Sequence, residues 1–175
     1  MENLQIKKVT EIDVWKLQQI CTQTFAETFS AMNSEEDMQK YLAKSFSDEK
    51  LLAELRKKNT AFYFALVNEK IAGYLQVNSG HSQNELKDEN ALEIERIYVM
   101  KAFQGKRVGQ LLFQKALDIA VQKEVDFVWL GVWEHNAKAI RFYRKNGFVI
   151  FDKHVFMLGN DKQTDLMMKR QIKNK

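Results

Sequence analysis

One stretch of the chain constrains its fold more than any other: an alternating, β-branched strand runs through a glycine-bearing turn into an amphipathic helix. The strand is predicted over 91–99, the turn is Gln104-Gly105-Lys106-Arg107-Val108-Gly109, and the helix extends from about Val108 to Lys123. The first N–H groups of a helix have no intrahelical acceptors, so such a turn can direct several donors at an anion. The segment therefore predicts a phosphate-binding turn, although the hexapeptide alone is equally typical of an ordinary strand-to-helix turn.

The rest of the chain shows periodicities that predict alternating helices and strands, hence an α/β class. The predicted helices are 13–29, a second after Asn33-Ser34, a third around Leu51–Leu55 and a later one over 136–146. The predicted strands are a hairpin over 61–67 and 71–77, the strand 126–133, one from Phe148 and one near Leu166. With 175 residues, no repeats and no break in composition, we expect a single domain over 1–175.

Composition and charge exclude several classes of protein. No apolar run reaches the ~20 residues of a membrane helix, and the amino terminus lacks a signal-peptide pattern, so a cytoplasmic protein without a membrane partner is expected. Cys21 is the only cysteine and lies on an apolar helical face, which favours a packed thiol. His81, His135 and His154 lack metal-ligand spacing, so no metal is expected. The net charge of +4 is spread along the chain, which argues against nucleic acid.

The turn resembles a motif of the GNAT superfamily of acyl-CoA-dependent N-acetyltransferases, Q/R-x-x-G-x-G/A, which binds the coenzyme A pyrophosphate. Gln104 and Gly109 match this motif, and Arg107 stands where the family usually has its first glycine. The segments 24–29, 92–98, 129–134 and 159–165 are similar to the PaiA-type branch, the bacterial spermidine/spermine N-acetyltransferases. The resemblance covers nearly the whole chain. It implies a GNAT fold, with a mixed central β-sheet flanked by helices and splayed central strands.

The resemblance also implies acetyl-CoA as co-substrate, with its pantetheine arm between the strand ending at Val99 and the strand 126–133. A bulge in the first of these strands is implied to part the two and to present a backbone N–H to the developing oxyanion. The residues implied to bind the cofactor lie on the strand end, the turn, the helix start and the later helix: Ile97, Tyr98, Val99, Gln104, Gly105, Lys106, Arg107, Val108, Gly109, Gln110, Asn136, Ala139 and Tyr143.

Tyr143 matches the tyrosine that faces the coenzyme sulfur in the family. A phenol with an ordinary pKa of about 10 is protonated at neutral pH and can donate a proton to a thiolate. The same predicted helix carries Ile140 and Phe142, so Tyr143 taken alone is also typical of a core residue. Asn136, seven residues earlier, favours the catalytic interpretation, and it can cap the helix as well as contact the pantetheine arm.

Two carboxylates are candidates for the base that takes the ammonium proton. Glu93 and Glu95 alternate along the strand 91–99, which predicts that they share a face with Ile97 and Val99. The resemblance implies a base at Glu95 in polyamine-acetylating relatives and at Glu93 in other branches. The alternative is a pair of surface glutamates that are partnered by Arg96 or by lysines.

A polyamine acceptor requires an acidic groove in an otherwise basic protein. We predict that Glu27, Glu35 and Glu134 line its rim and that Tyr74 and Trp133 form an aromatic wall, which can make cation–π contacts. Acids at a helix start, such as Glu35, are equally typical of caps and dipole partners.

The predicted function is transfer of acetyl from acetyl-CoA to a primary amine, with a polyamine favoured, by direct attack in a ternary complex. The alternatives are an enzyme for another small amine or a peptide amino terminus, and a coenzyme A-binding regulatory protein without turnover. A nucleic-acid-binding role ranks after these. A homodimer is compatible with the family, but nothing in the sequence identifies an interface.

Overall fold

A computed structural model describes residues 1–172, and Lys173 and Lys175 lie outside the described residues. The described chain contains a seven-stranded sheet and five α-helices. The strands are β1 (Leu4–Lys8), β2 (Thr60–Val67), β3 (Lys70–Ser79), β4 (Ala91–Val99), β5 (Phe127–Trp133), β6 (Val149–Leu158) and β7 (Asp161–Gln171). The helices are α1 (Val14–Phe29), α2 (Glu35–Ser45), α3 (Asp48–Leu55), α4 (Val108–Gln122) and α5 (Ala137–Lys145).

The sheet is mixed, with the strand order β1-β2-β3-β4-β5-β7-β6. β4 and β5 are parallel and are joined through α4, whereas the other neighbouring strands are antiparallel. This arrangement confirms the predicted α/β class and the GNAT-type sheet. The parallel pair lies in the middle of the sheet, where the predicted phosphate-binding turn leaves β4 and enters α4.

Helices cover both faces of the sheet and bury two separate apolar clusters. On one face Leu112 and Phe113 of α4 pack against Leu92 and Ile94 of β4. On the other face α1, α2 and α3 bury a cluster that includes Cys21, as predicted for a packed thiol. Burial raises the pKa of the Cys21 thiol to about 11, so it stays protonated at neutral pH and is a poor nucleophile.

Local signals in the sequence explain where the helices and the first hairpin begin and end. Ser34 accepts a hydrogen bond from the Asp37 amide and caps α2, as predicted, and Ser47 caps α3 in the same way. The β2–β3 hairpin turns at Asn68 and Glu69, which both have positive φ, as a two-residue turn with the twist of a hairpin requires. No helix within residues 1–172 is long and apolar enough to cross a bilayer.

The structure adds one strand that the sequence analysis did not predict. β1 pairs with β2 at the edge of the sheet, and only Leu4 and Ile6 of its five residues are even partly buried. Two half-buried positions are too few to produce a recognisable alternation.

Candidate active site

The central parallel pair is open at one end. β4 and β5 are paired only from Ala91 to Ile94 and from Phe127 to Leu130. Beyond these pairs β4 continues to Val99 and β5 to Trp133 without pairing to each other. The backbone groups of β4 on this side therefore face a gap, and the splayed strands implied by the GNAT resemblance are confirmed.

A β-bulge lies in β4 at the point where the two strands part. Gln76 of β3 pairs with Arg96, whereas the next residue, Val77, pairs with Ile94, so Glu95 is an extra residue in β4. An extra residue bends its strand and breaks the alternation of side chains between the two faces. The bulge thus bends β4 away from β5. It also places two consecutive side chains, those of Glu95 and Arg96, on the same face of the sheet.

The bulge makes one prediction wrong: Glu93 and Glu95 do not share a face with Ile97 and Val99. Ile97 and Val99 pack on the α4 side of the sheet. Glu95 accepts a hydrogen bond from Gln76 Nε2 at 2.8 Å, on the opposite side. The prediction assumed regular alternation, and an inserted residue shifts that alternation by one position. The two glutamates therefore lie on the face that α1, α2 and α3 cover.

A cleft of about 610 Å³ occupies the gap between β4 and β5 and extends along the turn to α5. Among the residues predicted to bind the cofactor, all except Lys106 line it. These lining residues are Ile97, Tyr98, Val99, Gln104, Gly105, Arg107, Val108, Gly109, Gln110, Asn136, Ala139 and Tyr143. Lys106 instead forms an ion pair with Glu2, with Nζ 2.7 Å from Oε1.

The turn has the backbone conformation of an anion-binding site. Gly105 and Arg107 both have positive φ, at 81° and 64°, and Arg107 is the amino-terminal cap residue of α4. The amides of the first turn of α4 are therefore presented to the cleft. Lys138 of α5 donates to Gln104 Oε1 at 2.8 Å, so Lys138 and Arg107 bring positive charge to this end of the cleft.

The positive φ of Arg107 explains why a glycine is usual at this position and leads to a stability prediction. A non-glycine residue in the left-handed region costs about 1 kcal/mol or more. We expect Arg107→Gly to be more stable to urea than Arg107→Ala by about 0.5–1 kcal/mol, because both variants lose the guanidinium but only alanine keeps the strain. Equal unfolding midpoints for the two variants would contradict this origin of the glycine preference.

Tyr143 of α5 lies at the wall of the cleft and is only 7% exposed. Its ring packs against Phe148, with the centroids 5.7 Å apart, so the residue contacts the core and also borders the cleft. Burial raises the pKa of its phenol well above the ordinary value, which keeps it protonated. Asn136 caps α5 by accepting a hydrogen bond from the Ala139 amide at 3.2 Å, as predicted.

Glu93 and Glu95 form a pair of carboxylates beside the bulge, and both accept hydrogen bonds from the side-chain nitrogen of Asn78. Glu93 is 4% exposed and accepts hydrogen bonds from the Asn84 amide, from Asn84 Nδ2 and from Asn78 Nδ2, at 3.0, 2.9 and 3.0 Å. Burial raises the pKa of Glu93 to about 7, Glu95 adds to the rise, and the hydrogen bonds from Asn78 and Asn84 oppose it. A carboxylate with a pKa near neutrality suits a general base.

Three residues that the sequence analysis did not select lie at the opposite end of the cleft from the turn. His154 Nε2 is 3.0 Å from Glu85 Oε1, and Asp165 is the register partner of both His154 and Trp133. Burial raises the pKa of Asp165 to about 6, and His154 opposes this rise. The aromatic side chains that line the same part of the cleft are Phe25, Phe29, Tyr41, Trp133 and Phe156. Asp165 belongs to the segment 159–165 that is similar to the PaiA-type branch, and this similarity was the only signal for it in the sequence.

The structure places one of the five predicted acceptor-binding residues in the cleft, namely Trp133. Tyr74 is fully buried in the core and is therefore not a wall of the cleft. Glu27 accepts a hydrogen bond from the Lys101 amide at 2.8 Å, which is a capping role. Glu35 is exposed in the first turn of α2, and exposed Glu134 lies 3.6 Å from His135. None of these four residues lines the cleft, because a residue type alone does not specify on which face of the fold its side chain lies.

Among residues 1–172, no group of three or more His, Cys, Asp or Glu side chains has an arrangement that could hold a metal ion.

The open parallel pair, the bulge and the phosphate-type turn together define an acetyltransferase of the GNAT type. The chain belongs to the acetyltransferase (GNAT) family, whose model matches residues 19–148. It is 42% identical to an uncharacterized N-acetyltransferase of Lactobacillus delbrueckii subsp. lactis, encoded in the pepI 3′ region, over 98% of this chain and 99% of that relative.

Two further comparisons concern Thermoplasma acidophilum. The chain is 26% identical to the spermidine N(1)-acetyltransferase of that organism, over 86% of this chain and 91% of the relative. The fold is similar to the crystal structure of the PaiA N-acetyltransferase from the same organism in complex with coenzyme A. That similarity has a TM-score of 0.79, with 22% sequence identity and coverage of 97% of this chain and 99% of the other.

Proposed function

We propose that this protein transfers an acetyl group from acetyl-CoA to a primary amine and that the acceptor is a polyamine such as spermidine or spermine. The observation that carries this proposal is the polarity of the cleft between β4 and β5. Its turn end holds Arg107, Lys138 and the first amides of α4, whereas its other end is aromatic and carries four carboxylates against Arg96 and His154. A polyanionic donor and a polycationic acceptor would be attracted to opposite ends.

The turn end of the cleft fits the donor. A pyrophosphate is suited to amides at the start of α4 and to the adjacent guanidinium of Arg107. The gap between β4 and β5 leaves backbone groups of β4 that can pair with an extended amide-containing arm, as an added strand would. Acetyl-CoA would supply the acetyl group: the amine nitrogen bonds to the thioester carbonyl carbon, the C–S bond breaks, and the sulfur departs.

Residues of the chain have distinct parts in this proposal. A carboxylate of the Glu93–Glu95 pair accepts the proton that the attacking amine must lose. Backbone N–H groups of β4 that face the gap stabilise negative charge on the carbonyl oxygen. The Tyr143 hydroxyl donates a proton to the departing sulfur, and its raised pKa keeps that proton in place beforehand. The products are an N-acetylated amine and coenzyme A as its thiol. The protonated carboxyl group then loses its proton to solvent and the Tyr143 phenolate regains one, which restores both side chains for the next turnover.

The acidic end of the cleft supports a polyamine over other amines. Four carboxylates line it, those of Glu85, Glu93, Glu95 and Asp165. Aromatic side chains there can pack on methylene segments and hold ammonium groups through cation–π contacts. The similarity of the chain to the spermidine N(1)-acetyltransferase of Thermoplasma acidophilum also supports a polyamine acceptor.

Turnover with a panel of amines tests this proposal. We expect acetyl-CoA to release free thiol at a rate that depends on spermidine or spermine and to give little release with butylamine or with a peptide amino terminus. Mass spectrometry of the acceptor would show a gain of one acetyl group. A peptide or another small amine as the best acceptor would refute the polyamine assignment. Acetyl-CoA binding without thiol release for any acceptor would instead support a regulatory protein.

A further inference from the structure

A row of polar side chains crosses three neighbouring strands and ends at the carboxylate pair. Thr60 of β2 is the register partner of Asn78 of β3, and Asn78 is the register partner of Glu93 of β4. The bulge adds Glu95 beside this row. Thr60, Asn78 and Glu93 are exposed by only 8%, 1% and 4%, so each polar group depends on its neighbours for hydrogen bonds.

Asn78 bridges the two carboxylates through a single nitrogen. Its Nδ2 donates one hydrogen bond to Glu93 Oε2 at 3.0 Å and another to Glu95 Oε2 at 2.5 Å. Its Oδ1 accepts a hydrogen bond from Thr60 Oγ1 at 2.9 Å. The reverse amide orientation would direct Oδ1 at two carboxylates, which is repulsive. The Thr60 hydroxyl therefore acts as the donor that satisfies Oδ1 on the far side.

We propose that Asn78, with its amide held by Thr60, is a positioning residue that keeps Glu93 and Glu95 together as one ionised, proton-accepting unit. This role depends on the proposed function of the pair as the base. Two buried carboxylates side by side repel each other, and one shared donor offsets part of that repulsion. Asn78 touches neither substrate nor cofactor, because it does not line the cleft, and it acts only through the two glutamates.

Other charged groups near Glu93 and Glu95 also affect the electrostatic environment of the two carboxylates. Arg96 of β4 has NH1 3.8 Å from Glu95 Oε1. From α3, Glu54 lies 3.4 Å from Gln76 Nε2, which also donates to Glu95, and Glu54 is itself paired with Lys57 and Lys50. Glu85, His154 and Asp165 line the cleft together with the pair, and Lys44, Lys50 and Lys57 line a neighbouring pocket together with Glu95. None of these groups bridges both carboxylates as Asn78 does.

Variants of Asn78 and Thr60 test the proposal. Asn78→Leu removes both N–H donors of Asn78 Nδ2 at similar side-chain volume. Thr60→Val removes only the Thr60 hydroxyl, and Thr60→Ser keeps that hydroxyl and is the matched control. We would label glutamate side-chain carboxyls with ¹³C and follow their NMR titration in the full-length protein, with Glu93→Gln and Glu95→Gln to assign signals. The pH dependence of kcat/KM would be measured in parallel, with acetyl-CoA affinity and urea unfolding as checks on the fold.

We expect Asn78→Leu to raise the titration midpoint of the pair by about one pH unit and to move the acidic limb of kcat/KM upward by the same amount. Thr60→Val should give a smaller upward shift, and Thr60→Ser should leave both measurements unchanged. If Asn78→Leu does not fold, the contrast between Thr60→Val and Thr60→Ser decides the question.

Two outcomes would overturn the proposal in different ways. An unchanged carboxyl titration in Asn78→Leu, or in Thr60→Val where the first variant does not fold, would show that the amide does not control the pair. That result would leave the base assignment intact. A shifted titration with an unshifted acidic limb would instead show that the pair is not the base, which refutes that part of the proposed function. The NMR titration needs no turnover. It therefore measures the effect of Asn78 on the two carboxyl groups even if the acceptor is not a polyamine.

Discussion

Tyr143→Phe is expected to lower kcat with the best amine acceptor by about 100-fold or more, while acetyl-CoA binds almost as tightly as to the native protein. The hydroxyl is the only group removed, and general acid catalysis typically contributes about 10²–10⁴-fold. The ring itself packs against Phe148 and is retained, so the wall of the cleft keeps its shape. Thiol release measures kcat, and equilibrium titration measures the affinity for acetyl-CoA. A loss in kcat with KM unchanged identifies an interaction that is made only in the transition state.

Tyr63→Phe is the matched control for this experiment. Tyr63 of β2 is half-buried and lies outside the cleft, so loss of its hydroxyl should leave turnover unchanged. An unchanged kcat in Tyr143→Phe would remove Tyr143 as the acid. Tyr98 would then be the next candidate, because its phenol also lines the cleft and burial also raises its pKa well above the ordinary value.

The sequence predicted the helices and most strands because each contains enough turns or alternations to show its period. α1 spans Val14–Phe29 against a predicted 13–29, and α4 begins at Val108 as expected. β1 was missed because it is short and lies at the sheet edge. The fold class followed from the order of elements, whereas the strand order β5-β7-β6 depends on contacts between distant parts of the chain.

The two halves of the cleft were predicted with unequal success for a physical reason. The residues at the turn end lie on one continuous segment and one helix, so local sequence identifies them. The acidic end is assembled from the loop carrying Glu85, from His154 of β6 and from Asp165 of β7. These residues meet only when the sheet forms. The bulge was implied only by the family resemblance, because Glu95 itself gives no local signal of its position, and it reversed the face expected for both glutamates.

Glu93→Gln is the second substitution with a large expected effect. We expect it to lower kcat/KM by about 10²–10⁴-fold and to abolish the acidic limb of the pH profile. The reason is the raised pKa of Glu93, about 7, at which the native carboxylate changes from acid to base. A base is active when ionised, so native kcat/KM should rise with pH up to about 7 and then level off. Steady-state rates from pH 5 to 9 in one buffer series would measure this.

Glu95→Gln should behave differently, and the contrast decides which glutamate is the base. The negative charge of Glu95 contributes to the raised pKa of Glu93, so its removal should move the acidic limb to lower pH and cost less activity. Asp13→Asn removes a similarly buried carboxylate outside the cleft, so it should change neither the value of kcat/KM nor the position of its acidic limb. If Glu95→Gln abolishes the limb and Glu93→Gln only shifts it, the base is Glu95. That result would match the assignment implied by polyamine-acetylating relatives, and it would fit the greater exposure of the Glu95 side chain, which is 20% exposed.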